Sequence, residues 1–350
     1  MFKAELIKAV KGGEPLIQGC DLSNGDYQSA DLGGGIFESV VFTNADLRGA
    51  KLKECVFINC DFTGAKLDGA NLVLARFIEP KGEGISLNSC DMRLANFIDA
   101  AFDYADLSNT NLETTNFVNP KFKGAKFVAA KVYQVSFIKG DFENADFSKA
   151  DIFRVNFLES NVKNIIFEEA KLELAFFREV DFSGYDFTKI NLIKPQFQET
   201  KVVAANFEGM DLSQASFMEA DLSGANFRKV NAKQANFIQA NLSLADFSGA
   251  QMEQALLQEA NLAQANFTGV KAIQALMVKT VCTKTNFSGA DLTYADFSHA
   301  DLTEANFSNT ALFRANLHEV VEHNTVWKGA NKSVSLGTDP KKQKAEQWKA

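Results

Sequence analysis

The most constraining feature of this chain is a period of five residues that runs from Leu22 to Leu317 in a single register. Nearly every fifth residue is Leu or Phe, as at Leu32, Phe37 and Leu47. The residue two places earlier is usually Ala, and the residue directly before is usually Asp or Asn. A short period held over most of a chain is typical of a solenoid, in which each coil packs only on its neighbours.

A longer period of 20 residues sorts the large residues by type. Every twentieth residue from Phe37 to Phe237 is Phe, whereas the same spacing from Leu32 to Leu312 contains no Phe. A period of five fits neither the 3.6-residue turn of an α-helix nor the two-residue repeat of a strand. We therefore predict coils with four sides of five residues each, in which residues 20 apart stack on one face.

These repeats resemble the pentapeptide repeat family, whose motif is approximately A-(D/N)-(L/F)-x-x. The match extends from about residue 17 to residue 330. The fold of that family is a right-handed quadrilateral parallel β-helix, so the resemblance implies an all-β fold of this kind. The repeats would build about 15 coils. Each coil would pair its backbone N–H and C=O groups with the coils on either side.

The two ends of the chain depart from the repeat, which predicts three segments. Residues 1–16 would form an N-terminal cap helix and linker, residues 17–330 the β-helix, and residues 331–350 a basic tail. Phe2, Leu6, Ile7 and Val10 would share one helical face and cover the open apolar end of the first coil. The tail would be either disordered or folded back onto the acidic β-helix. The tail is basic through its lysines and carries one tryptophan: Lys341, Lys342, Lys344, Lys349 and Trp348.

Several residues break the consensus, and we expect the shaft to bulge or bend there. The clearest break is 80–84, where Gly82 replaces a large apolar residue between Pro80 and Gly84. Glycine and proline together favour a loop. Other large residues or prolines occupy the small-residue position: Ile85, Ile165, Tyr185, Ile190, Met210, Pro120 and Pro195.

Composition argues against several kinds of partner. The formal net charge is −8, and direct nucleic-acid binding requires clusters of Lys and Arg. No apolar run approaches the ~20 residues that span a bilayer. The first ten residues lack the long apolar core of a secretory signal. We therefore expect a cytoplasmic protein without a membrane span.

Cysteines and histidines give little sign of chemistry. Four of the five cysteines occupy the small inward position and Cys282 the large one, without metal-ligand spacing, so we expect buried thiols and no cofactor.

His299 and His318 would lie on one face beside Glu319, close to His323. A histidine pair with a carboxylate can bind a metal or move a proton. We interpret these histidines as solvated polar residues and expect no catalytic or metal site. The aligned aspartates are interpreted as repeat consensus: Asp21, Asp61, Asp141, Asp181 and Asp221.

The outward positions carry the remaining functional signal. The residue after each Phe of the Phe37 series is often apolar, which predicts an apolar stripe up one face. Its members are Ile58, Ile78, Ile98, Val118, Ile138 and Leu158, followed by Met218, Ile238 and Val278. An acidic file runs beside it: Glu79, Asp99, Glu159, Glu179, Glu199, Glu219, Glu259 and Glu319.

The apolar stripe has two readings. An exposed apolar patch of a few hundred Å² often marks an interface. Alternatively, Ile and Val stack well in an exposed parallel ladder without any partner. A second, looser patch is predicted on the face of the Leu32 series: Leu74, Leu94, Tyr133, Phe153, Leu174 and Ile193.

We predict a non-enzymatic scaffold or adaptor that presents long faces to a protein partner or to a second copy of itself. Some bacterial pentapeptide repeat proteins resemble parts of secretion or effector loci, which makes such an association one option. The family also includes proteins that protect DNA gyrase from quinolones by imitating duplex DNA, which is the alternative function. Duplex DNA carries one charge per ~1.7 Å, so the modest net charge here counts against that alternative. An enzyme is the third class considered.

Overall fold

The structure is a computed structural model that describes residues 1–13 and 15–348. The chain divides into two units, Met1–Val180 and Asp181–Ala350, which we call unit 1 and unit 2. The predicted all-β parallel β-helix with a short N-terminal helix is confirmed.

The described part of unit 1 contains one helix and twelve three-residue strands. The helix α1 is Lys3–Lys11. The strands are β1 (Leu16–Gln18), β2 (Ile36–Glu38), β3 (Val56–Ile58), β4 (Arg76–Ile78), β5 (Asn96–Ile98), β6 (Asn116–Val118), β7 (Lys131–Tyr133), β8 (Ser136–Ile138), β9 (Asp151–Phe153), β10 (Asn156–Leu158), β11 (Lys171–Glu173) and β12 (Phe176–Arg178).

These strands form two parallel sheets with the predicted register. One sheet has the order β1-β2-β3-β4-β5-β6-β8-β10-β12, and the other contains β7, β9 and β11. Each residue pairs with the residue 20 positions along the chain, as Phe57 does with Phe77 and Phe77 with Phe97. The middle residue of every strand is buried, and its two neighbours lie on the surface side. The two periods in the sequence therefore describe one polygonal coil.

Unit 2 repeats the same coil with shorter ladders. Its strands are β13 (Asn191–Ile193) and β14 (Gln196–Gln198), and most other sides pair through single bridges such as Asp221 with Asn241. A 3-10 turn, Lys332–Val334, and the helix α2, Pro340–Glu346, follow the last coils. The longest helix among the described residues has nine residues, so none of the described helices could span a membrane.

The core consists of stacked aromatic columns. In unit 1, the ring centroids of Phe77 and Phe97 lie 4.6 Å apart, and those of Phe97 and Phe117 lie 4.8 Å apart. Neighbouring columns meet edge to face, as Phe137 and Phe142 do at 4.9 Å. Such pairs contribute about 0.5–1.5 kcal/mol beyond the burial of their area. The alternating large and small side chains leave these rings almost without solvent contact.

Nearly every corner of the coil has a residue in the left-handed backbone conformation. Gly49 adopts a φ of 64°, which glycine tolerates without steric cost. Leu74 adopts nearly the same φ, 62°, although this costs a residue with a side chain about 1–2 kcal/mol. The residue before the buried one often stabilises the turn, since Asp21 Oδ1 accepts a hydrogen bond from the Ser23 N–H at 2.9 Å.

The predicted bulge at 80–84 is wrong. Lys81 bridges both Asp61 and Ala101, and the Gly82 N–H donates to the Ala101 carbonyl at 2.9 Å, so the ladder is unbroken. The ring of Phe102 fills the space that a large side chain at position 82 would take. A Cβ on Gly82 would lie 2.7 Å from two carbons of that ring. The small residue is therefore compensated from the next coil, and no loop is needed. Ile85, in the small position that follows, is likewise fully buried.

The N-terminal helix covers the first coil but not with all the predicted residues. Leu6 and Val10 are buried, and Lys11 forms an ion pair with Asp31 at 2.9 Å. Phe2 is 80% exposed, because the helix begins one residue later, at Lys3. The placement of Phe2 on the buried face is therefore wrong.

The tail follows the folded-back alternative. Leu336 pairs with Asn316, and α2 contacts the coils through the hydrogen bonds described below. Lys349 of the predicted basic tail lies outside the described residues.

The first prediction tests the aromatic column. Phe137 stacks between Phe117 at 5.2 Å and Phe157 at 5.0 Å, so Phe137→Ala should lower the free energy of unfolding by about 3–5 kcal/mol. Ser136→Ala, on the outward side of the same strand, should change it by less than about 0.5 kcal/mol. Urea denaturation of both variants provides the measurement. Similar losses in the two variants would show that the inward and outward positions are misassigned.

The second prediction concerns the packing of Gly82 against Phe102. Gly82→Leu should destabilise the protein by about 1–3 kcal/mol, because the new side chain overlaps the ring. Phe102→Ala alone leaves a cavity, which the leucine can occupy in the double variant. The double variant should therefore be more stable than the sum of the two single losses implies, as a double-mutant cycle would measure. Additive losses would mean that the two side chains do not share this space.

Candidate functional site

The first six members of the apolar stripe lie in one continuous ladder of unit 1. Strand pairing places Ile58 beside Ile78, Ile78 beside Ile98, and so on through Val118 and Ile138 to Leu158. Each of these side chains is half-buried. At about 4.8 Å per strand the six residues extend over roughly 24 Å. The sequence register therefore predicted their alignment correctly.

The acidic file beside this ladder is interrupted between Asp99 and Glu159, as its predicted members imply. Glu79 and Asp99 are neighbours, but the next two places hold Asn119 and Lys139. The Asn119 amide donates to Asp99 at 2.9 Å, and Lys139 lies 3.5 Å from Glu159. The sequence already contained this interruption. One pair of adjacent carboxylates, Glu79 and Asp99, therefore lies beside the second and third members of the stripe.

A shallow depression lies beside this pair of carboxylates. It is lined by Asn59, Glu79, Pro80, Lys81, Asp99 and Ala101. Glu79 and Asp99 are both exposed at its rim. A cationic side chain of a partner could reach the two carboxylates while its neighbours cover the stripe.

The remaining candidates occupy other places in the two units. Glu179, in unit 1, lies 3.6 Å from Arg178, which takes the stripe position after Leu158. In unit 2, Met218 and Ile238 are half-buried, with Glu219 exposed beside Met218. Glu199 is also exposed in unit 2. The unit 2 candidates are thus fewer than those of unit 1.

The second predicted patch is only partly apolar at its surface. Leu74 and Leu94 are 42% and 52% exposed. Tyr133 donates its hydroxyl to Asp151, and the Lys131 ammonium lies 4.5 Å from its ring centroid. Cations therefore cover part of the aromatic surface, which makes this patch a weaker candidate than the stripe.

The histidine cluster differs from the sequence interpretation in two ways: His318 is buried, so its interpretation as a solvated residue is wrong, and the neighbouring carboxylate is a different one. His318 is 2% exposed, and its Nε2 lies 3.1 Å from the Oε2 of Glu346, the last residue of α2. His299 Nε2 lies 3.4 Å from the same oxygen. Glu319, the predicted neighbour, instead accepts a hydrogen bond from Gln343. Sequence reasoning missed Glu346 because the tail has no repeat that would place it.

Hydrogen bonding assigns the proton of His318. The backbone N–H of Asp339 donates to His318 Nδ1 at 3.1 Å, so Nδ1 is an acceptor. The neutral ring therefore carries its proton on Nε2 and donates it to Glu346. This bond lowers the pKa of Glu346 below its ordinary value of 4.5, against the opposing effect of desolvation, and the charges of His299 and Lys342 lower it further.

The cysteines and the aligned aspartates have structural environments. Burial raises the pKa of the Cys55, Cys90 and Cys282 thiols to about 12 and that of Cys60 to about 11, so these thiols stay protonated. Cys20 is half-exposed. The aspartates accept hydrogen bonds from backbone N–H groups two residues on, as their place in the turn requires: Asp21, Asp61, Asp141, Asp181 and Asp221.

Sequence comparison identifies the repeat. The chain matches the model of the pentapeptide repeat region over residues 50–127 and 130–207. It also matches the model of eight-copy pentapeptide repeats over residues 17–53, 196–231, 220–258, 235–271, 245–281 and 280–318. Among curated proteins, none matches this sequence significantly.

Several solved structures are similar to parts of the chain. QnrB1, a plasmid-mediated fluoroquinolone resistance protein, is 16% identical over 54% of this chain and 89% of its own, with a TM-score of 0.30. HetL, a protein involved in heterocyst differentiation regulation in Nostoc sp., is 20% identical over 87% of this chain and 96% of its own, with a TM-score of 0.17. A pentapeptide repeat protein of the Arabidopsis thaliana thylakoid lumen is 28% identical over 34% of this chain and 68% of its own, with a TM-score of 0.16. These TM-scores are below 0.5, and the family assignment rests on the sequence matches.

The third prediction concerns the ionisation of Glu346. Its pKa is lowered in the folded chain, so its contribution to tail docking is present above pH 4.5 and is lost as pH falls through the folded value. His318→Ala removes the main hydrogen bond and should raise the midpoint of the Glu346 carboxyl titration towards its ordinary value. Carbon-13 NMR of the labelled carboxyl group measures this midpoint. The same midpoint in both proteins would contradict the assigned bond.

Proposed function

Because the chain belongs to the pentapeptide repeat family, we propose that it is a non-enzymatic scaffold or adaptor that binds a protein partner along the apolar stripe of unit 1. Members of this family are generally structural or interaction proteins. The observation that carries the proposal is the unbroken ladder from Ile58 to Leu158, whose side chains are half-exposed on successive strands.

The shape and charge of this face favour one kind of partner. Six aliphatic side chains in a straight row match an apolar ridge, which would remove their exposed area from water. The carboxylates of Glu79 and Asp99 lie beside the second and third members of the row and line the shallow depression. Lys or Arg residues flanking the ridge would pair with them and would mainly set orientation and association rate. The proposed occupant is therefore a protein segment with an apolar ridge and an adjacent Lys or Arg.

The DNA-mimicking alternative receives less support from the charges. Carboxylates on the coils of unit 1 are often paired with lysines on adjoining coils, such as Glu143 with Lys123 at 2.9 Å and Glu159 with Lys139 at 3.5 Å. A duplex presents unpaired phosphates at regular intervals. Binding to DNA gyrase is consequently kept as an outcome of the test below.

The fourth prediction tests the stripe with a matched control. The variant Ile78→Lys, Ile98→Lys and Val118→Lys places three charges on the stripe. The control Ser108→Lys, Val128→Lys and Ser148→Lys adds the same charge at half-buried outward positions of three successive coils on another face. Both should fold, because all six side chains lie outside the core.

The partner is first captured by a photo-reactive residue at position 98 and then purified. Titration should show at least about a tenfold weaker affinity for the stripe variant, or about 1.4 kcal/mol, and no such loss for the control. The cross-linked partner segment should be apolar with a neighbouring Lys or Arg. Equal binding by the stripe variant would overturn the proposal. Gyrase binding that survives the stripe substitutions would favour the mimic, and sizing of the chain alone would reveal a second copy as the occupant.

A further inference from the structure

We propose that His299, His318 and Glu346 form a binding site for one zinc ion, which fastens the C-terminal helix α2 to the last coils of unit 2. The site is a cluster that joins two parts of the chain distant in sequence. The two histidines project from adjoining coils, and Glu346 comes from the end of α2. The three candidate ligand atoms all lie within 4.8 Å of one another.

The distances resemble those of a tetrahedral zinc site. Ligand bonds of about 2.0–2.1 Å place tetrahedral ligands about 3.3 Å apart. The Glu346 oxygen lies 3.1 Å from His318 Nε2 and 3.4 Å from His299 Nε2. Two of the three separations therefore already match a tetrahedral site. The third, between the ligand atoms of the two histidines, must shorten when the ion binds.

The donor types select the kind of cation. Two imidazole nitrogens with one carboxylate oxygen suit zinc and its neighbours, whereas magnesium and calcium prefer oxygen ligands. Three protein ligands leave a fourth position for water. His318 is almost fully buried, and Lys342 lies 3.6 Å from Oε1 of Glu346, which leaves Oε2 directed at the histidines.

Metal binding requires a change in the tautomer of His318. The proton on Nε2 must leave that atom, and the neutral ring then carries it on Nδ1. Nδ1 currently accepts the Asp339 N–H. The bound ion would therefore break this hydrogen bond while linking Glu346 to the coils. This predicts opposite local effects at the two ends of α2, which a purely stabilising ion would not produce.

The binding test uses the full chain without an affinity tag. Cys20→Ser is introduced first, because Cys20 is the half-exposed thiol, whereas burial raises the pKa of the other four thiols or keeps them inaccessible. Calorimetric titration with zinc chloride should show one ion per chain. His299→Gln, His318→Gln and Glu346→Gln should each weaken binding by at least about tenfold.

The matched control is His323→Gln, which changes an exposed histidine of the same unit outside the cluster. It should bind zinc like the parent. No zinc binding by the parent, or an equal loss in the control, would overturn the site. Circular dichroism verifies that each variant is folded, and Glu346→Gln is the variant least able to disturb the coils because its residue lies on the tail.

Hydrogen exchange tests the proposed fastening of the tail. Zinc should slow the exchange of amides within 341–346 and should speed up that of the Asp339 amide, which loses its acceptor. Trypsin should also cleave more slowly after Lys341, Lys342 and Lys344. Zinc binding without any change at Asp339 or in α2 would place the ion elsewhere and overturn the proposal.

Discussion

The structure depends on the pairing of each residue with the residue 20 positions along the chain. This pairing satisfies the backbone hydrogen bonds of one coil with those of the next. It also stacks like on like, so that Phe77 lies on Phe97 and Ile78 beside Ile98. A change at one position is therefore felt by the residues 20 before and 20 after it. Gly82 and Phe102 illustrate this, because the ring of one coil fills the space left by the other.

The same pairing gives the surface its functional character. Along each face, successive outward side chains of one column lie about 4.8 Å apart. A residue type that recurs every 20 positions therefore forms a continuous row on the surface. The column from Ile58 to Leu158 is apolar, while other columns pair Lys with Glu from coil to coil. We propose that the apolar column is the docking surface, since charges that are already paired within the chain contribute less free energy to the binding of a partner.

The regular part of the fold was predictable because the sequence repeats every five and every 20 residues, as the coils themselves do. Register alone placed the Phe37 series inside and aligned Ile58 with Ile78. The predictions failed where the residue types alone suggested a different local structure, and where the chain has no repeat. Gly82 and Pro80 favour a loop by type, yet Phe102 compensates from the next coil. Glu346 joins the histidines through tail docking, which no period encodes. The interruption of the acidic file at Lys139, by contrast, was readable from the sequence.

The most direct test of this account is a saturation scan of unit 1 with folding and partner binding measured separately for every variant. The account predicts folding losses at the inward positions with a period of five residues, and fully folded variants that lose only binding at Ile58, Ile78, Ile98, Val118, Ile138 and Leu158. Folding losses without that period would contradict the inward and outward assignment. Losses of binding alone that lie mainly on another column would contradict the proposed docking face.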